Sequence, residues 1–266
     1  MNKHQIIFIH GWGMNRGIWT KLINELSKSI EDDIICLDLP GYANSPAITE
    51  EDNLDQIAES LLAQLDSQNE ITLVGWSLGG LVATKMSALL GPRLKRLILI
   101  ASTPCFTQNN HWTHAVSPSV FENFYHQLND DFSKTIKRFI AITVMGSPNA
   151  KKDQKEIIQA LQNSLTQQNE PSDNMFGLNL TTLKAGLDIL LATDLIQEIS
   201  KLSKPVYLLC GDRDTLIPIA AMQDICNKRQ SNHLFCEMQV IHHAGHAPFI
   251  SHQNECVSYI EQVLNG

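Results

Sequence analysis

The feature that most constrains this chain is Gly75-Trp76-Ser77-Leu78-Gly79, placed directly after Ile71-Thr72-Leu73-Val74. An apolar, β-branched run ends in G-x-S-x-G, and Leu81-Val82-Ala83-Thr84-Lys85-Met86 follows as a helix-like stretch. Strand, sharp turn and helix together form the setting in which a serine hydroxyl stands exposed at the tip of a sheet. The turn holds the serine in a strained backbone conformation, and glycine leaves room for the segments that pass beside it. Three fixed positions recur by accident in about one chain in ten of this size. The strand before and the helix after the motif therefore carry the inference.

The rest of the chain repeats this alternation. Ile6–His10, Ile34–Leu37, Ile71–Val74, Leu97–Ala101, Pro205–Cys210 and Phe235–Ile241 read as strands. Between them, Asn15–Ser29, Leu54–Leu65, Leu78–Leu90 and Ile219–Lys228 read as helices, and Gln253–Leu264 closes the chain as another. Fully apolar strands alternating with helices predict an α/β fold with a mostly parallel central sheet covered on both faces. Residues 106–194 break the pattern. Pro118–Leu128, Asp131–Met145, Ala150–Gln167 and Thr181–Leu191 read as helices with no convincing strand among them. The expected organisation is a core of residues 1–105 and 195–266 with a helical cap, 106–194, inserted over the strand tips, where open α/β sheets bind ligands.

An activated serine needs a base, and the base needs an acid to orient it. In this architecture the chain order is serine, acid, histidine. Gly211-Asp212-Arg213-Asp214 follows one late strand, and His242-His243-Ala244-Gly245-His246-Ala247-Pro248 follows the next. Both segments therefore fall at the same sheet edge as Ser77. Asp214 is the favoured acid, with Asp212 read as an aspartate that fixes the turn by bonding nearby amides. His246 is the favoured base, because Gly245 permits a tight loop and Ala247-Pro248 opens a helix. His242 and His243 read as strand-end residues, and His252 falls near the start of the final helix. The amides of Trp12 and Leu78 are assigned to an oxyanion hole; the alternative for His10-Gly11-Trp12-Gly13 is a plain strand-to-helix turn.

Composition excludes several other classes. The 266 residues carry a net charge of −8, so no global basic field draws in nucleic acid. Met1-Asn2-Lys3-His4-Gln5 lacks the apolar core of a signal peptide, and Ile6-Ile7-Phe8-Ile9 is too short to span a bilayer. The six cysteines are scattered without a C-x-x-C pair, which predicts a reduced cytoplasmic protein without disulfides or structural zinc. No metal-binding cluster such as H-E-x-x-H, phosphate loop or dinucleotide fingerprint is present. No metal or cofactor is expected, and neither a nucleic acid nor a membrane is expected as a partner. A monomer is expected.

The charge is uneven. Between Ser133 and Glu156 six basic residues stand against two acidic ones, a local charge of +4. Lys134 and Arg138 are spaced i,i+4, as are Lys151 and Lys155, so each pair shares a helix face. A solvated face is the ordinary reading of such a cluster; a sign reversal on a lid also suits an acidic partner.

With these residues in hand, the chain resembles the α/β-hydrolase family along essentially its whole length. Within it, the resemblance is to esterases that act on the methyl ester of pimeloyl carried by an acyl carrier protein, in biotin synthesis. It is carried by His10-Gly11-Trp12-Gly13, Asp38-Leu39-Pro40-Gly41, Gly75–Ala83, Ser102–Phe106, Asp130-Asp131-Phe132, Met145-Gly146 and His246–His252. Trp76 within the elbow, Pro104-Cys105-Phe106 and the His246–His252 run are the most specific of these. The resemblance implies release of methanol from the ester by Ser77, Asp214 and His246. It implies an acyl pocket lined by Trp12, Trp19, Trp76 and Phe139. It also implies that Lys134, Arg138, Lys151 and Lys155 receive the acyl carrier protein. Three of those four are lysine, which keeps the charge but loses the bidentate fork of arginine.

Two alternatives stand beside this reading. One is a carboxylesterase or C–C hydrolase acting on a free small molecule, which the same three residues fit. The other is a ligand-binding scaffold without catalysis, which the intact serine, acid and histidine argue against.

Overall fold

A computed structural model describes residues 3–43, 45–46, 53–165 and 177–266. Six strands, β1 (His4–Ile9), β2 (Asp33–Leu37), β3 (Glu70–Trp76), β4 (Leu94–Ile100), β5 (Val206–Gly211) and β6 (Cys236–Ile241), form one sheet in the order β2-β1-β3-β4-β5-β6. Every pairing is parallel, with Ile9 beside Gly75 and Trp76 beside Ile100. The strands are apolar because both sheet faces are covered; Ile6–Ile9, Leu73, Val74 and Leu97–Ile100 are all buried. The direction of strand addition reverses between β1 and β3. Such a switch point opens a crevice at the carboxyl ends of the strands, and the loops after β1 and β3 meet there.

Core helices α1 (Thr20–Leu26), α2 (Leu54–Leu62) and α3 (Leu78–Leu90) follow β1, β2 and β3. The reading of Asn15–Ser29 as one helix is corrected. A 3-10 turn over Arg16–Trp19 precedes α1, with the Asn15 side chain accepting from the Gly17 amide at 3.0 Å. Gly17 lies so close to the Ala160 carbonyl that a Cβ there would collide with it, and the chain tightens to pass. A capping box on Asn53 starts α2.

Between β4 and β5 stand α4 (Ser119–Asp130), α5 (Phe132–Thr143), α6 (Ala150–Asn163), α7 (Leu180–Ala192) and the short α8 (Ile196–Lys201). Among the described residues this stretch holds only isolated bridges, Thr107 with Val116 and Asn109 with Trp112, and no strand. The expected helix Ala150–Gln167 ends at Asn163; residues 166 and 167 lie outside the described residues. Asp131 caps α5 and Asn179 caps α7 through side-chain acceptors. The six-residue α8 was not expected, because so short a segment shows no period. α9 (Ile219–Ser231) joins β5 to β6, and α10 (Pro248–Ser251) and α11 (Gln253–Asn265) complete the chain.

The expectation of no disulfide is overturned. Cys226 on α9 and Cys236 on β6 are bonded, their Cα atoms 5.2 Å apart. The turn between helix and strand folds the two thiols onto each other, a juxtaposition that a ten-residue spacing does not reveal. Among the described residues no helix is long and apolar enough to cross a membrane.

Candidate active site

The turn between β3 and α3 is strained as the sequence predicts. Ser77 holds φ 54° and ψ −123°, a conformation costly for a residue with a side chain. Its amide donates to the Ile100 carbonyl at 3.1 Å, and the Ser102 hydroxyl donates to its carbonyl at 2.8 Å. The glycines around it are required by close approach. A Cβ on Gly75 would lie 2.5 Å from the Gly79 carbonyl, and one on Gly79 would strike the carbonyls of Ile9 and His10. The start of α3 is thereby pressed against the end of β1.

Loops after β5 and β6 bring the other two residues to the serine. His246 Nε2 lies 2.8 Å from Ser77 Oγ, and His246 Nδ1 lies 2.8 Å from Asp214 Oδ2. With the imidazole proton on Nδ1, that group donates to the carboxylate and Nε2 accepts from the serine hydroxyl. Asp214 Oδ1 accepts from the amides of Leu216 at 2.8 Å and Ile217 at 3.0 Å. Both oxygens of the carboxylate are therefore held, and its side chain is fully buried. Ser77 is 3% exposed and His246 1%, so the site is closed to solvent. Asp212 does not take part. It accepts from His242 Nδ1 at 3.0 Å and from the His243 amide at 2.6 Å, the turn-fixing place expected of it. Burial pushes its pKa up, but these hydrogen bonds outweigh that and hold it below the ordinary carboxylate value.

The His10–Gly13 turn lies against the serine; a Cβ on Gly11 would sit 3.1 Å from Ser77 Cβ. The turn is fixed from behind by His10. Its Nδ1–H donates to the Gly11 carbonyl at 2.9 Å, and its Nε2 accepts from the Leu39 amide at 3.0 Å. Burial lowers the His10 pKa, against smaller raising effects of Asp38 and the Gly11 carbonyl, and keeps the ring neutral at pH 7. Leu78 is the first residue of α3, where amides have no acceptor within the helix.

The four aromatic residues named for the pocket divide into two groups. Trp12 packs against Phe139 (ring centroids 4.8 Å) and Phe124 (5.9 Å), and its indole N–H donates to the Leu183 carbonyl at 2.7 Å. Trp76 packs against His246 at 5.7 Å and Phe249 at 5.1 Å. Trp19 is fully buried, and its ring contacts are with Phe8, Trp76 and Phe249. The four basic residues are all exposed, Lys134 and Arg138 on α5 and Lys151 and Lys155 on α6. Arg138 donates to the Gln127 side chain at 3.0 Å. A cavity of about 830 Å³ bordered by Lys85, Tyr125 and Lys184 runs along α7, and its lining includes none of Ser77, Asp214 and His246.

Some residues that shape the site were not singled out from the sequence. Ser102 braces the elbow carbonyl, and the Thr143 carbonyl accepts from the Ala247 amide at 2.8 Å, joining the cap to the histidine loop. Arg213 joins the cap to the acid loop. None of these contacts has a local sequence signal, because each is made between distant segments.

The sequence profile of the alpha/beta hydrolase fold matches residues 5–253. A pimeloyl-[acyl-carrier protein] methyl ester esterase of Aeromonas hydrophila is 36% identical over 260 residues, covering 97% of this chain and 94% of that protein. One of the same name from Pseudoalteromonas atlantica is 36% identical over 250 residues, covering 94% and 90%. Among solved structures, an esterase of Exiguobacterium antarcticum superposes with a TM-score of 0.81 at 19% identity, over 100% of this chain and 93% of that one, a likeness of fold. With a matching profile over nearly its whole length and relatives of this identity, the chain belongs to the α/β-hydrolase fold family, alongside the pimeloyl-[acyl-carrier protein] methyl ester esterases.

Proposed function

We propose that this protein is a serine carboxylesterase that hydrolyses the methyl ester of pimeloyl-[acyl-carrier protein] in biotin synthesis. The observation that carries the reading is the chain of hydrogen bonds Ser77–His246–Asp214, each 2.8 Å, in a chain 36% identical to esterases of that name. The core of residues 1–105 and 195–266 supplies the chemistry, and the cap of residues 106–194 selects the substrate.

Ser77 Oγ attacks the ester carbonyl while its proton passes to His246 Nε2. Asp214 holds the resulting imidazolium. The amides of Trp12 and Leu78 donate to the oxyanion; losing one such donor costs about 100- to 1,000-fold in rate. The C–O bond to the methoxy group breaks, His246 returns its proton, and methanol leaves an acyl-enzyme. Water repeats the sequence, with His246 again as base, and frees the carboxylate and Ser77. Trp12, Trp76 and Phe139 wall the acyl chain, and Trp19 backs Trp76. Lys134, Arg138, Lys151 and Lys155 receive the acidic carrier protein. The protein works as a monomer, and the likeness to the pimeloyl-[acyl-carrier protein] esterases, in place of the reduced cysteines that the Cys226–Cys236 bond overturns, is what supports a cytoplasmic location.

The test is hydrolysis of the carrier-bound methyl ester by the wild type and by Ser77→Ala. The expected result is turnover by the former and a loss of at least about 1,000-fold in the latter. Release of methanol by Ser77→Ala at the wild-type rate would overturn the reading.

A further inference from the structure

The loops that carry Asp214 and His246 meet at a second place, one to four residues upstream of the reacting groups. There Asp212-Arg213 on one loop grips His242-His243 on the other. Asp212 Oδ2 accepts from His242 Nδ1 at 3.0 Å, and Asp212 Oδ1 accepts from the His243 amide at 2.6 Å. Arg213 Nη2 donates to His243 Nδ1 at 2.6 Å, and the Arg213 amide donates to the Ala244 carbonyl at 2.9 Å. His243 is held at φ 64°, a left-handed conformation uncommon for a residue with a side chain. It sits where the chain leaves β6 and turns toward His246, so its conformation sets the path of the base.

The same guanidinium reaches a third piece of the molecule. Arg213 Nη1 donates to the Gly146 carbonyl at 2.8 Å, in the turn between α5 and α6. Gly146 has φ 94°, and a Cβ there would lie 2.7 Å from Arg213 Cβ, so the arginine stem lies flat against a position that only glycine leaves open. One side chain thus bonds the cap turn and the base loop while standing on the acid loop.

We infer that Arg213, with Asp212, is a positioning residue that holds the acid loop, the strained His243 and the Gly146 turn in one arrangement, and so sets the Ser77–His246–Asp214 geometry. It touches neither the ester nor the reacting atoms. The planar fork is essential, because two acceptors, Gly146 O and His243 Nδ1, are served at once. An ammonium in its place reaches one of them. Misplacement of a reacting group by about an ångström costs on the order of 100-fold in rate, so partial loosening of a loop is expected to show in turnover before it shows in folding.

The inference rests on the serine esterase reading, and the experiment separates the two. Arg213→Ala, Arg213→Lys and Asp212→Ala are assayed with p-nitrophenyl butyrate, a free ester whose hydrolysis needs no carrier protein. Expected for Arg213→Ala is a fall in kcat of about tenfold, with KM within about twofold and an unchanged thermal midpoint, since the side chain is exposed. Arg213→Lys recovers less than half of that loss, and Asp212→Ala falls in the same direction as Arg213→Ala. The proton spectrum gives an independent readout: the downfield resonance of the His246 Nδ1–H broadens or moves upfield in Arg213→Ala. Wild-type kcat in Arg213→Ala, full rescue by lysine, or a kcat loss matched by a lowered thermal midpoint overturns the inference. An active Ser77→Ala enzyme defeats the esterase reading instead; an inactive one beside a fully active Arg213→Ala defeats the positioning role alone.

Discussion

The indole N–H of Trp76 donates to the main-chain carbonyl of His246 at 2.8 Å. The residue immediately before the nucleophile therefore holds the backbone of the base, and the ring also packs against the imidazole. Trp76→Phe keeps most of the packing against Phe249 and removes the donor, leaving a buried carbonyl without a partner. Such a loss costs about 1–3 kcal/mol. The expected outcome is a thermal midpoint lowered by a few degrees and a kcat lowered by about tenfold. Scanning calorimetry and steady-state hydrolysis of a chromogenic ester measure the two; a variant with wild-type kcat shows that the carbonyl needs no such support.

The elbow glycines give a second prediction. Gly79 faces the carbonyls of Ile9 and His10 with no space for a methyl group, whereas Gly91 meets nothing within 4 Å. Gly79→Ala forces α3 away from β1 and is expected to lose roughly 3 kcal/mol. Gly91→Ala meets no neighbour and costs only the strain of a side chain at φ 54° and ψ −122°, about 1 kcal/mol. Urea unfolding curves measure both. Equal stabilities would show that the sheet end can yield at the elbow.

The cap gives a third. Lys134 and Arg138 share the exposed side of α5, whose buried side carries Ile136 and Phe139 toward Gly13. If this face receives an acidic carrier, Lys134→Glu with Arg138→Glu lowers kcat/KM for the carrier-bound ester at least about tenfold at low salt. The deficit shrinks as salt approaches about 1 M, where the screening length falls to about 3 Å. Activity on p-nitrophenyl butyrate stays within about twofold, because the reversal leaves Ser77 untouched. Equal losses on both substrates place the effect in the fold of the cap and not in docking.

These predictions depend on features of unequal visibility in the sequence. The inner strands β1, β3, β4 and β5 were legible because each is an apolar run largely buried on both faces, the edge strands β2 and β6 are partly exposed, and parallel pairing then puts every strand end at one edge. That single rule brings Ser77, Asp214 and His246 together from positions far apart in the chain, and the structure has them within 2.8 Å of one another in turn. Contacts that depend on how the cap settles were not legible. Gly17 lies in a 3-10 turn pressed against the Ala160 carbonyl of α6, and Trp19 packs on Phe8 and Phe249. Cys226 and Cys236 look like two of six scattered cysteines until the turn after α9 superposes them. Periodicity reports which face of an element is buried, and it is silent about which distant atoms that face meets.

His10 gives the last prediction, one of pH. Its ring is buried, Nε2 accepts from the Leu39 amide, and desolvation holds its pKa below the ordinary histidine value of 6.5. The unfolded chain takes up a proton near pH 6.5 that the folded protein refuses. Stability from this residue is therefore fully present above about pH 6.5 and is lost as the pH falls toward the lowered folded-state value, with a slope of at most about 1.4 kcal/mol per pH unit. Protonation would also remove the acceptor that Leu39 uses, loosening the turn that carries Trp12. His10→Gln cannot titrate, so its stability is expected to start lower at pH 7.5 and to fall less steeply below about pH 6.5, the gap between the two proteins narrowing with acid. Urea midpoints at pH 7.5, 6.5 and 5.5 decide the matter. Parallel curves for wild type and variant would mean that another group governs the acid loss and that His10 is held by packing alone.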